Sequence, residues 1–409
     1  MPEVPVGEIL LTLGLTLLSG YFIKRIMNRL KIPDVTGYII MGVLAGALIF
    51  SRFDGLLDSL EIISDFALAI IAFIIGHELK SDVIKKLGKA ILFIAFFEAF
   101  GAFLVVFSVL YFFDFFPLHT ALLLASIASA TAPAATVYVI HQYKSEGPLT
   151  STILAVVGVD DAIALIIYVF ASTVAKQTFN GSGSASFDLS IIYSPLISVA
   201  ASGVLGIVLG LIFNYIFKNI RDRDALAMGI VGFVLLVMGT AEQVGISELL
   251  AVMVFSAFLS NTSLSLSRRS GEIIESFTAI MLPYFFIFAG AHLDVTKISA
   301  IAVVCIVYFF ARSTGKVGGA FIGGALGNAP SVVRKFTGMG LIPQVGVAVA
   351  LALAVKRTFG DPTGPYGEAG ADMADEIINI LLCSTIITES IGPVLTKFAL
   401  KRSGEAKVD

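Results

Sequence analysis

Thirteen apolar runs fill most of this sequence, each long enough to cross roughly 30 Å of hydrocarbon as a helix. They cover residues 8–27, 33–50, 59–77, 87–112, 119–141, 150–175, 190–217, 224–241, 245–261, 273–291, 297–326, 331–356 and 375–400. Hydrocarbon offers no water to backbone amides and carbonyls, so such a run closes its hydrogen bonds within itself as an α-helix. The expected fold is therefore an all-α polytopic membrane protein of thirteen transmembrane helices. Composition agrees, because 14% of the 409 residues are charged, against about 25% in an ordinary soluble chain. A net charge of −3, with no basic helix, zinc-finger spacing or stacking platform, sets nucleic-acid binding aside. The two cysteines, Cys305 and Cys383, both lie inside apolar runs and give no disulfide framework.

The basic residues test the number of spans. Twenty of the 27 Lys and Arg fall in the odd-numbered connections and the C-terminal tail, while Arg52, Lys176, Lys297, Lys356 and Arg357 fall in the even ones. The remaining two, Arg312 and Lys316, lie inside the eleventh run. A miscounted helix would scramble this bias, which predicts an N-terminus outside and a C-terminus inside. The cluster Lys24, Arg25, Arg29 and Lys31 follows the first run instead of preceding it, so that run reads as a spanning helix and not as a cleavable leader. Residues 177–190 and 360–370 read as flexible outer linkers. Asn180-Gly181-Ser182 fits a glycosylation pattern, which an external Gly/Ser loop explains equally well.

Two runs carry helix breakers at mid-membrane. The fifth contains Thr131 and Pro133; the twelfth contains Gly338, Gly340, Pro343 and Gln344. Proline removes an amide and its ring clashes with the preceding turn, freeing backbone groups that lipid cannot satisfy. Seven helices separate the two breaks, so the broken helices run in opposite directions, as an inverted repeat requires. The expected organisation is one transporter domain over residues 1–409, with repeats at about 8–175 and 224–400 joined through helix 190–217. A pair of ordinary proline kinks is the alternative.

Charges inside the membrane carry the functional reading. Asp160 and Asp161 are adjacent about ten residues into the sixth run, and two buried carboxylates side by side can exchange a proton for a cation. Arg312 and Lys316 are four apart on one face of the eleventh run, and either could reach Asp160. Thr131 could offer a hydroxyl and a freed carbonyl to a dehydrated cation; a kink-stabilising threonine is the bland alternative. Gln344 is a possible further ligand. Glu98 and Glu389 read more as helix-contact or interfacial residues, and His77 and Glu78 as the rim of a helix end. Without a phosphate loop, nucleotide fingerprint or nucleophile elbow, neither ATP-driven transport nor enzymatic chemistry has an engine, and no cofactor is expected.

The ordered set of these segments resembles the monovalent cation:proton antiporter superfamily, in particular its CPA2 branch of bacterial and archaeal sodium/proton antiporters. The likeness covers nearly the whole chain. Ala130-Thr131-Ala132-Pro133-Ala134-Ala135 resembles the unwound segment of the first crossed helix, and Gly158 to Leu165 the paired-aspartate helix. Pro283 to Asp294 resembles the family's Pro/Phe-rich helix ending in Gly and Leu-Asp. The resemblance implies that Asp161 binds the cation and takes a proton when the cation leaves. Asp160 would pair with a basic residue of the eleventh span; spacing favours Lys316, with Arg312 left open. It also implies alternating access, a core domain moving against a dimerisation domain, a homodimer and a prokaryotic cytoplasmic membrane. The cargo would be Na+ and H+, with Li+ open, and the double aspartate resembles electrogenic relatives. Ala132 departs from the pattern, since several relatives carry aspartate there. A K+/H+ exchanger is the alternative within transport; a cation channel or a non-transporting membrane scaffold is the alternative outside it.

Overall fold

The computed structural model describes residues 5–30, 34–48, 56–79, 88–179 and 190–407. Its helices are α1 (Val6–Leu30), α2 (Asp34–Leu48), α3 (Leu56–Ser59), α4 (Glu61–Glu78), α5 (Lys89–Phe112), α6 (Leu118–Ala128), α7 (Pro133–Gln142), α8 (Pro148–Phe179) and α9 (Ser190–Phe217). There follow α10 (Arg223–Val244), α11 (Glu248–Thr262), α12 (Leu264–Ala291), α13 (Ile298–Leu326), α14 (Ser331–Phe336), α15 (Gly346–Phe359) and α16 (Gly367–Arg402). Among the described residues eight helices are long and apolar enough to span a bilayer, and a bent pair, 331–341 with 346–359, makes a ninth crossing at a 47° angle. Four shorter apolar helices complete the thirteen spans, with α6 continuing across a break into α7. Large apolar side chains face outward along the spans: Leu10 is 64% exposed, Phe112 71% and Phe310 63%. Such a surface is soluble only in lipid.

Helix ends depart from the apolar runs in three places. α12 begins at Leu264, not near 273, because an amphipathic turn carrying Arg268, Arg269 and Glu272 extends it; Arg268 Nε lies 3.1 Å from Glu272 Oε1, four residues on. Hydropathy reports the length that lipid covers, whereas the helix continues wherever backbone bonds and polar side chains support it. The same holds for α16, which starts at Gly367 within the expected linker, and for α8, which continues through Phe179. The remainder of the 177–190 linker up to residue 189, with Asn180, lies outside the described residues, as do the loop charges Lys31, Arg52, Lys80, Lys85 and Lys86.

Packing repeats with a seven-span period. α2 touches α12 and α11 touches α4; α6 touches α8 and α15 touches α16; α5 touches α8 and α13 touches α16. In each pair of pairs, shifting each partner by seven spans, forward or back, gives the other. α5 to α8 and α13 to α16 form one group around the two broken spans. α9 lies between this group and the helices that flank it, contacting both α8 and α11.

The closest crossing in the first group joins α5 to α13. A Cβ on Gly319 would sit 2.0 Å from the Phe97 carbonyl oxygen, one on Gly323 2.4 Å from that of Phe93, and one on Gly315 2.6 Å from that of Gly101. The spacing Gly315, Gly319, Gly323 is a stripe of small residues on one helical face, which lets the two backbones touch. That contact sets Glu98 of α5 beside Lys316 of α13. At the other end of the chain, the Glu405 carboxylate accepts the amides of Leu149 and Thr150 at 2.8 Å each, capping the start of α8. The tail thereby anchors the helix that carries the aspartate pair.

Candidate functional site

The site is built where the two broken spans meet. α6 stops at Ala128 and α7 starts at Pro133, a position where proline's missing amide leaves no bond unmade. The second span narrows to a 3-10 turn over Thr337–Leu341 before α15 starts at Gly346. The breaks bond to each other: the Ala132 amide donates to the Pro343 carbonyl at 2.8 Å, and the Thr136 hydroxyl to the Gly340 carbonyl at 2.7 Å. Pro133, Pro343 and Gly340 thus all lie within one crossing.

A helix that ends inside a membrane leaves its last carbonyls without partners. Here side chains supply the donors. Arg312 bonds to the carbonyls of Ala128 at 2.9 Å, Ala130 at 2.7 Å and Ile342 at 2.5 Å, so its planar fork ties the end of α6 to the second break. The Gln344 amide nitrogen donates to Ile127 at 2.8 Å and lies 3.2 Å from the Tyr308 hydroxyl. Lys316 covers Ser129 at 2.6 Å. All four terminal carbonyls, from Ile127 to Ala130, are satisfied, and two of the donors are cations placed at a helix C-terminus, where the backbone dipole favours them.

Lys316 also distinguishes the two candidate partners of Asp160. Its ammonium lies 3.1 Å from Asp160 Oδ2, 2.7 Å from Glu98 Oε2 and 2.6 Å from the Thr131 hydroxyl, and all three charged side chains are 0% exposed. Arg312, one turn earlier, spends its donors on backbone. Asp161 is the next residue along α8 and is partly exposed, while Asp160 is fully enclosed. A helix turns about 100° per residue, so the two carboxylates leave α8 in different directions.

Glu98 read more as a helix-contact or interfacial residue than as a transport residue, yet it makes the shorter of the two ion pairs. Depth would have found it: at about 1.5 Å per residue, nine residues beyond Lys89 place it roughly 13 Å into the span. Glu389 is 7% exposed and accepts a bond from Thr36 at 3.4 Å. It lines a cavity of about 400 Å³ with Thr36, Tyr138, Gln142 and Thr385, at the face where α7 ends. At the opposite face, a second cavity of about 400 Å³ is lined by Tyr168, Ser172, Lys176, Glu242, Glu248 and Arg357. Arg357 bridges there from α15 to Glu248 at 2.5 Å and Glu242 at 2.8 Å on the flanking helices. His77 lies 3.1 Å from the Ser260 hydroxyl at a helix end, and the side chain of Glu78 is outside the described residues. Among the described residues no group of three or more His, Cys, Asp or Glu could hold a metal ion.

Residues 14–402 match the family described as sodium/hydrogen exchanger, transmembrane. Two solved structures of the sodium proton antiporter MjNhaP1 from Methanocaldococcus jannaschii share the fold. One, determined at pH 8, gives a TM-score of 0.78 at 18% identity over 97% of this chain and 99% of that one. The other, an electron-microscopy structure, gives 0.73 at 18% over 99% and 100%. An ammonium/H+ antiporter subunit, AmhT of Alkalihalophilus pseudofirmus, is 22% identical over 70% of this chain and 71% of its own.

The chain belongs to the sodium/hydrogen exchanger family, and its fold is the thirteen-span inverted-repeat architecture of those antiporters. It is a secondary active transporter and not an enzyme: a multi-pass membrane protein of a family that exchanges sodium ions for protons. The narrower placement in the CPA2 branch is overturned, because the matching solved structures are of an NhaP antiporter, which is CPA1-like. A paired aspartate and a Pro/Phe-rich helix are short local patterns, and they do not determine a branch.

Proposed function

We propose that Na+ and H+ compete for Asp161 at the crossing of the broken spans, with Thr131 as a further cation ligand and Asp160 as its neighbouring charge. The observation that carries this is the enclosed Asp160–Lys316 pair beside a partly exposed Asp161. Sodium favours oxygen ligands, and drawing Asp160 and Thr131 toward a cation requires Lys316 to release both. Either cargo neutralises the site enough for the carrier to change access, whereas the empty charged site is held back by the cost of moving it through hydrocarbon. Gln344 Oε1 has no hydrogen-bond partner among the described residues and is a further candidate ligand in the second break.

The reading extends to an electrogenic cycle, to repeats at residues 8–175 and 224–400 joined through 190–217, and to a homodimer formed by the flanking helices in a prokaryotic cytoplasmic membrane. The recurring contacts seven spans apart support the repeats. The cavities on opposite faces of the crossing group support its movement against the flanking helices. Purified protein in liposomes tests the site. Sodium-driven proton movement is expected between about pH 6 and 9, with complete loss in Asp161→Asn, since that side chain can neither ionise nor carry a proton. A variant that transports like the parent would remove Asp161 from the mechanism. Potassium and ammonium chloride in parallel runs measure selectivity; the ammonium arm is motivated by the resemblance to AmhT.

The charge bias supports an outer N-terminus and an inner C-terminus. Gly7 and Arg402 are exposed at the two ends of the helical chain. A membrane-impermeant maleimide added to intact cells is expected to label Gly7→Cys at once and Arg402→Cys only after permeabilisation. The reverse pattern would invert the topology.

A further inference from the structure

Glu389 of α16 is a buried acid outside the Lys316 cluster. Its carboxylate takes a long bond from the Thr36 hydroxyl at 3.4 Å and interacts with the Gln344 backbone in the second break. Oε1 is buried with no hydrogen-bond partner among the described residues. One turn earlier on the same helical face, Thr385 is 2% exposed, and its hydroxyl is likewise without a partner there. One turn later stands Pro393, inside the helix. Proline has no amide, so the Glu389 carbonyl, four residues before it, loses its helical donor. A carboxylate, a hydroxyl and a freed carbonyl thus gather within two turns. Thr36, Thr385, Glu389 and Pro393 all line the cavity of about 400 Å³ at the face where α7 ends. That cavity reaches the crossing: Ala135, in the first turn of α7, lines it too, and the Thr388 hydroxyl lies 3.3 Å from the Gln344 carbonyl.

We infer that Glu389 and Thr385 form a second binding station for a monovalent cation, between the solution on that face and the crossing. This rests on the proposed competition at Asp161, since the station serves the same cargo. Among the described residues lining the cavity, Glu389 is the one charged group, and none is basic. Arg312 acts on the carboxylate through space, but its bonds go to the Ala128, Ala130 and Ile342 carbonyls. It therefore offsets part of the charge of Glu389 without occupying its oxygens. Alkali cations favour oxygen ligands, and at about 30 Å³ per water the cavity has room for an ion that keeps part of its hydration shell. One partly offset carboxylate makes a weak station, which suits transit, because an ion on a path must bind well enough to enter and loosely enough to leave. The bias of the loop charges makes this the inner face. The station then gathers cations before they meet Asp161 and sets the sodium concentration that half-saturates the carrier from that side.

Everted and right-side-out membrane vesicles present opposite faces to the bath and test this. In everted vesicles, Glu389→Gln is expected to raise the half-saturating sodium concentration about tenfold, with a much smaller change in the maximal rate. In right-side-out vesicles the half-saturating concentration should stay near that of the parent. Thr385→Val, which keeps the shape and removes the hydroxyl, should shift the everted value in the same direction. Glu389→Asp should fall between the parent and Glu389→Gln. If Glu389 only tied α16 to α2 through Thr36, its loss would lower the maximal rate or the melting temperature and leave half-saturation alone. No shift in everted vesicles for either Glu389→Gln or Thr385→Val, or an equal shift at both faces, overturns the inference. Binding of radioactive sodium chloride to purified Asp161→Asn protein gives a reading without turnover. Weak binding should remain there and vanish when Glu389→Gln is added; binding that survives the double substitution overturns the station. Transport surviving in Asp161→Asn would instead defeat the underlying competition at Asp161, an outcome separate from the half-saturation shift.

Discussion

Arg312→Ala is expected to lower the melting temperature of the solubilised protein by on the order of 10 °C, the largest loss from any single side chain in the crossing. The substitution removes the donors from three carbonyls, those of Ala128, Ala130 and Ile342, none of which has water to turn to. A buried polar group left without its partner costs about 1–3 kcal/mol, so three together give a loss of roughly 5 kcal/mol even with partial relaxation. Arg312→Lys should recover only a fraction, because an ammonium on a flexible stem does not reproduce a planar fork spanning two broken helices. The measurement is thermal unfolding in detergent, followed by the loss of the monodisperse peak. Melting that matches the parent, with sodium transport abolished, would make Arg312 a group of the transport cycle and not a clamp.

The second large effect is expected at Gly319. A valine there places its Cβ 2.0 Å from the Phe97 oxygen and 2.8 Å from the Glu98 Cα, so α5 must move away from α13 over the length of the contact. Overpacking of this kind typically costs about 1–3 kcal/mol, and here it also draws Glu98 away from Lys316. Gly319→Val should therefore lose both stability and sodium-driven proton movement. The neighbouring residue is the control. Nothing lies within 4 Å of a Cβ on Gly318, so Gly318→Ala should be neutral or stabilising by up to about 1 kcal/mol through helix propensity alone. If the two variants melted alike, the glycine stripe would not be setting the helix contact.

Much of this molecule was readable from its residues because lipid makes exceptions conspicuous. A charge in an apolar run has few innocent explanations, so Asp160, Asp161, Arg312 and Lys316 stood out, and the bias of the loop charges gave the thirteen spans. The two proline-containing runs were visible for the same reason. Harder to read was how the side chains divide the work among themselves. Glu98 and Lys316 are 218 residues apart, and a single glutamate within an apolar run shows nothing in sequence of the partner it meets. The sign of its importance was the Gly315, Gly319, Gly323 stripe, which brings α5 against α13. Spacing favoured Lys316 but left Arg312 open, because the two share a helical face; the carbonyls that occupy Arg312 come from breaks near residues 128 and 342. Helix ends were misjudged where charged turns prolong α12 and α16, since apolar length carries no signal of a solvated extension. The family branch was misassigned because its supposed signature was a few residues long.

The clamp at the crossing has a consequence for how this carrier meets changes in acidity. A guanidinium stays protonated throughout the range in which cells live, so the joint that fastens Ala128 and Ala130 to Ile342 keeps the same bonds in acid and in alkali. The hinge is chemically deaf to the quantity being transported. Under the proposed exchange the protons come and go on the groups beside it, so they can be lost and regained at every turnover without the frame loosening.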